Sequence, residues 1–100
     1  MDIAVNVMED GVVVVLRGVL KKPEAMQLGE EILKAAHGHP KKLALDCSEL
    51  AALSFDSVPF IVSALERSRL GKRNIRAFGC NSVVERTLRG ADFERVGSLE

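Results

Sequence analysis

Apolar and polar positions alternate from the first residues: Ile3, Val5 and Val7 interleave with Asp2, Ala4 and Asn6, the period-two signature of a strand with one covered face. Glu9-Asp10-Gly11 supplies turn chemistry, and the β-branched run Val12 to Leu16 folds back as a hairpin partner. These two strands are expected to be antiparallel. The period changes after Arg17-Gly18. Pro23 suits a first helical turn, where its missing N–H needs no partner, and Glu24 favours the positive end of the helix dipole. Ala25, Leu28, Ile32 and Ala36 form one stripe against the sheet, and Gly38 and Pro40 end the helix.

Leu43-Ala44-Leu45-Asp46-Cys47 reads as a central strand, joined to the second strand by a helical crossover and therefore parallel to it. A polar break follows, and then Ser54-Phe55-Asp56-Ser57-Val58-Pro59-Phe60 opens a second helix running to Gly71. Val58, Ile61, Val62, Leu65 and Arg69 fall on one face of that helix. Pro59 fits its first turn if Asp56 or Ser57 is the N-cap. Residues 72–80 give a turn and a fourth strand. Ser82 and Glu85 have capping-box spacing at the head of a third helix ending at Gly90, and Phe93 and Val96 anchor a last short segment.

Length and composition then narrow the reading. One hundred residues, 47% of them apolar, make one domain over 1–100; the terminal Leu99-Glu100 is compatible with a cloning scar. Fourteen basic and fourteen acidic side chains leave no global field for nucleic acid or an acidic membrane. Residues 1–50 carry 6 basic and 8 acidic groups, and residues 51–100 carry 8 and 6, a mild dipole that suggests a local contact surface at most. No segment has the length for a membrane span or the form of a signal peptide. Cys47 and Cys80, far apart in sequence, make neither a disulfide framework nor a zinc knuckle, and buried thiols in a reducing cytoplasm are expected.

Several constellations invite chemistry and are outweighed. His37 and His39 flank Gly38, too close for two ligands on one helical face, and no carboxylate or thiol completes a metal site. Asp46 ends a strand as a phospho-accepting aspartate does, but a structural role in the following loop is favoured. Arg69, Lys72, Arg73 and Arg76 form a solvated basic rim, because four phenylalanines are the only aromatic residues available for stacking. Ser57 has no general base nearby in sequence and no glycine-rich phosphate loop is present, so no enzyme activity and no cofactor are expected.

The order strand, strand, helix, strand, helix, strand, helix resembles the STAS domain, found in bacterial anti-sigma-factor antagonists and in the cytoplasmic tails of sulfate transporters. The residues that carry the likeness are Leu43 to Leu50, Phe55-Asp56-Ser57, Leu16 to Leu20, and Ile75 to Cys80. The resemblance implies an α/β fold, a mixed sheet with an N-terminal antiparallel hairpin and three main helices packed mostly on one face. It implies a cytoplasmic module that binds a kinase-type anti-sigma factor, with Ser57 as phospho-acceptor and a metal-dependent serine phosphatase as the reversing enzyme. Asp56, Val58 and Phe60 are then the partner-contact candidates, the last two expected to form an exposed apolar patch. Val58-Pro59-Phe60 stands where the family usually continues Ser-Gly-Leu, and Lys21 where an acidic residue is usual. An accessory subunit docking on the ATPase of an ABC-type lipid transporter, without phosphorylation, is the alternative within the same fold.

Overall fold

The alternating N-terminal segment forms β1 (Asp2–Val7), which pairs antiparallel with β2 (Gly11–Leu20). A computed structural model describes residues 2–100. Ile3, Val5 and Val7 stand opposite Leu16, Val14 and Val12, so the apolar residues of both strands share one face. Helix α1 (Lys22–Ala36) follows. Its first turn is held by the Glu24 carboxylate, which accepts the Lys21 backbone N–H at 3.0 Å. Ala25, Leu28 and Ile32 are fully buried, as the stripe requires.

The crossover delivers β3 (Lys42–Leu53) parallel to β2, and β3 pairs in parallel with β4 (Ile75–Phe78). β5 (Ser98–Leu99) joins β4 in parallel, giving a five-stranded sheet in the order β1-β2-β3-β4-β5. Leu99 pairs with Ala77, and the Glu100 N–H bonds the Ala77 carbonyl at 2.9 Å. Helix α2 (Val58–Arg67) follows a 3-10 turn, and α3 (Ser82–Gly90) follows β4. Val12, Val14, Leu16, Leu43, Leu45, Ile75 and Ala77 form the helix-covered face, sealed by Leu28, Ile32, Leu65, Leu88 and Phe93. The opposite face carries the Arg17–Glu49 ion pair at 2.9 Å and the Arg76 guanidinium 4.7 Å above the Phe78 ring.

Three boundaries differ from the sequence reading. β3 does not break after Cys47. Two register shifts against β2 insert extra residues into β3, so Cys47, Leu50 and Leu53 all reach the core at a spacing of three. The Asp46 carboxylate braces the first irregularity, accepting the Ser48 N–H at 3.0 Å and the Ser48 hydroxyl at 2.6 Å. Helix α2 stops at Arg67 instead of reaching Gly71: the Ser68 hydroxyl bonds the Leu65 carbonyl, and Arg69 turns to φ 63°. The N-cap of α3 is Asn81, one residue before the expected Ser82, with its side-chain oxygen accepting the Val84 N–H at 2.8 Å.

A buried serine under an exposed entry to helix α2

Between β3 and α2 the chain makes one 3-10 turn, Phe55–Ser57. The Ser54 N–H bonds the carbonyl of Leu20 at 2.9 Å, which ties the turn to the end of β2. The Ser54 carbonyl in turn accepts the Ser57 N–H at 3.1 Å and the Ser57 hydroxyl at 2.6 Å. Ser57 is 0% exposed. It therefore does not cap α2 in the way its position suggests: its backbone is already helical, and its hydroxyl points back at a carbonyl rather than forward at orphan N–H groups. That partner is no base, so the bond locks the hydroxyl without activating it as a nucleophile. The Ser54 hydroxyl is itself buried and finds no partner among the described residues.

The neighbours divide sharply. Asp56 is exposed. Val58, expected at the surface, is fully buried, because the first turn of α2 places it on the stripe with Ile61, Val62 and Leu65. Phe60 is half-buried, with the Lys22 ammonium 5.5 Å from its ring centroid. It lines a shallow groove of about 180 Å³ between α1 and α2, with Met26, Leu33 and Ala64, and Glu30 and Arg67 at the rim. The residue that the sequence reading did not single out is Phe55, 62% exposed beside α3. Its spacing from Val58 suggests the buried stripe, but the 3-10 turn advances the chain faster than an α-helix and swings the ring outward.

His37 and His39 are both exposed beyond the end of α1. No group of three or more His, Cys, Asp or Glu side chains that could hold a metal occurs among the described residues, and none of their helices is long and apolar enough to cross a membrane. Cys47 and Cys80 are free thiols on adjacent parts of the core, where burial pushes both upward in pKa.

The fold is shared with solved structures of low sequence identity. An anti-sigma factor antagonist from Mycobacterium paratuberculosis superposes with a TM-score of 0.81 at 18% identity, covering 98% of this chain and 83% of that one. A serine-to-glutamate variant of RsbS from Moorella thermoacetica gives 0.72 at 21% identity, covering 100% and 86%. The Bacillus cell fate determinant SpoIIAA in its phosphorylated form gives 0.71 at 12% identity, covering 99% and 91%. No curated protein sequence matches significantly. The family model described as "Mlab, STAS domain" matches residues 3–99, and the chain accordingly belongs to the STAS domain family.

Proposed function

We propose that the chain is a non-enzymatic regulatory module of the antagonist type, working in the cytoplasm and binding a kinase-type anti-sigma factor through the entry to α2. The observation that carries the reading is the exposed Phe55 ring, set beside exposed Asp56 and Pro59 on a turn anchored by the Ser54–Ser57 bonds. A rigidly mounted aromatic with a neighbouring charge is the kind of anchor that concentrates binding energy at protein interfaces. Phe60 extends the surface towards the α1–α2 groove, while Val58 supports it from below.

Phosphorylation of Ser57 fits this reading only as a step coupled to opening of the turn. The hydroxyl that a kinase must reach is buried against the Ser54 carbonyl. A phosphoserine has lost that proton, carries a charge of about −1.5 to −2, and is repelled by the carbonyl oxygen it formerly bonded. Modification thus rebuilds the turn and displaces Phe55, and removal of the phosphate by a serine phosphatase restores it.

A second reading is favoured by the same burial: docking on the ATPase of an ABC-type lipid transporter, where no phosphate is needed. Affinity capture from source cells, using wild type and Phe55→Asp as baits, separates the two. A serine-kinase anti-sigma factor held by wild type and lost by Phe55→Asp supports the first reading, and an ABC ATPase with the same pattern supports the second. Equal capture by both baits refutes the surface. Incubating the captured kinase with ATP should add the mass of one phosphate to wild type and not to Ser57→Ala.

A further inference from the structure

Strand β1 is an outer strand of the sheet, and its free side is open. The turn bond from the Met8 N–H to the Gly11 carbonyl, 2.7 Å, fixes which residues use which side. Residues 8 and 11 stand directly opposite in the register and this bond makes them a hydrogen-bonded pair, so the even residues Asn6, Ala4 and Asp2 bond towards β2. The N–H and C=O groups of Ile3, Val5 and Val7 therefore point away from the sheet. Natural edges are commonly blunted by lysine, proline or a bulge. β1 has none of these, its only charge being Asp2 at the end, and its pairing with β2 runs without a register shift.

The strand is also self-complementary. Antiparallel pairing of two copies about a two-fold axis through Val5 sets Val5 against Val5, Ile3 against Val7 and Ala4 against Asn6. That register matches the free backbone groups with one another and keeps each apolar residue on the core side. It also covers Val7, which is 79% exposed in the single chain, with the partly buried Ile3 of the other copy. Met8, 55% exposed, comes to lie opposite Asp2 at the flank. We propose that β1 is a homodimerisation edge, joining two chains antiparallel at Val5 into one continuous ten-stranded sheet. The axis stands perpendicular to the sheet, so both helical layers lie on the same side, while the two α2 entries, each at the C-terminal end of β2 and β3, lie at opposite ends of the joined sheet. The contact is a single strand edge, and the association is correspondingly weak and concentration-dependent.

Sedimentation of the whole chain over a concentration series tests this. Wild type should move from monomer to dimer as concentration rises. Val7→Lys changes a side chain already in water in the monomer but faces Ile3 of the second copy in the dimer, so it should raise the dimer Kd by at least about tenfold with an unchanged melting temperature. Val5→Pro removes an outward N–H together with some core-side packing, so it should weaken the dimer at the cost of a modest fall in melting temperature, whereas Asn6→Pro attacks the β1–β2 ladder itself and should lower the melting temperature more. In the paired state the two Val5 Cα atoms lie about 5.5 Å apart, within disulfide reach. Val5→Cys should therefore give a covalent dimer on mild oxidation that wild type, with Cys47 and Cys80 buried or half-buried, does not. A wild type that stays monomeric to its solubility limit overturns the proposal. So does a dimer unaffected by Val7→Lys.

Discussion

Replacing Ser57 distinguishes a locked hydroxyl from a free one. Ser57→Ala removes the 2.6 Å bond to the Ser54 carbonyl, but that carbonyl keeps the Ser57 N–H, so no acceptor is orphaned. The cost is then one ordinary hydrogen bond, about 1 kcal/mol, or a fall of roughly 4–8 °C in melting temperature for a domain of this size. Ser57→Asp loses the same bond, adds bulk at a site with 0% exposure, and aims a charge at a carbonyl oxygen. The positive end of α2 returns about 0.3–1 kcal/mol of this. Desolvating the carboxylate outweighs that return, and the net loss is about 2–4 kcal/mol, at least about 8 °C. The introduced carboxyl has a folded-state pKa raised by burial, so the deficit should grow as pH rises from the unfolded value of about 4 and shrink as pH falls towards it. Thermal unfolding followed by circular dichroism at neutral and mildly acidic pH gives both numbers. An aspartate variant melting within about 3 °C of wild type at neutral pH would refute the account, because the closed turn would then accept an anion without rearrangement. The outcome also governs how the variant is read in binding assays: a large loss means that weakened binding reports a disturbed turn as well as an added charge.

Asn81→Ala should cost about 2 kcal/mol or more in chemical denaturation, since the amide caps α3 and also bonds the Leu50 and Ala51 carbonyls at 3.2 and 3.1 Å; a change under about 0.5 kcal/mol would contradict this. Gly79 adopts φ 74°, and a Cβ there would lie 3.0 Å from that of Ser48. Gly79→Ala is accordingly expected to lower stability by about 1–3 kcal/mol, and an unchanged melting temperature would count against it. Burial first, then the neighbouring Cys80 thiol and the Asp46 charge, pushes Cys47 up, and burial likewise raises Cys80. Both thiols are protonated at neutral pH, so in native protein a thiol reagent should label Cys80 slowly, with a rate rising about tenfold per pH unit from 7 to 9. Cys47 should react only on unfolding. Rapid labelling of two thiols at pH 7 would show that the core around them opens.

The regular elements were legible because their hydrophobic periods are undisturbed. Ile3, Val5 and Val7 announce β1, and Ala25, Leu28 and Ile32 announce α1. The site was legible as a place but not as an arrangement. Asp56-Ser57 marks the helix entry, yet whether a serine at that point caps forward or bonds backward depends on one turn being 3-10. That choice buries Ser57 and turns Phe55 out, and the phase of α2 buries Val58. The first two do not follow from spacing alone, whereas the burial of Val58 does: its stripe with Ile61, Val62 and Leu65 already includes it, and only the family resemblance placed it at the surface. The length of β3 was hidden for a related reason: Cys47, Leu50 and Leu53 repeat every third residue, a pattern that matches no regular strand until its pairing with β2 is known.

Those irregularities in β3 set where the chain tolerates a change of length. Between Cys47 and Leu53 the extra residues adjust the phase at which Leu50 and Leu53 enter the core and at which Ser54 meets the Leu20 carbonyl. One residue more or fewer there would carry the apolar positions to the other face and turn the α2 entry with them. The exposed bend at 37–39, between α1 and β3, has no such duty. A grafted loop or reporter insertion belongs there, and the seven residues from 47 to 53 behave as a ruler whose length the docking surface cannot spare.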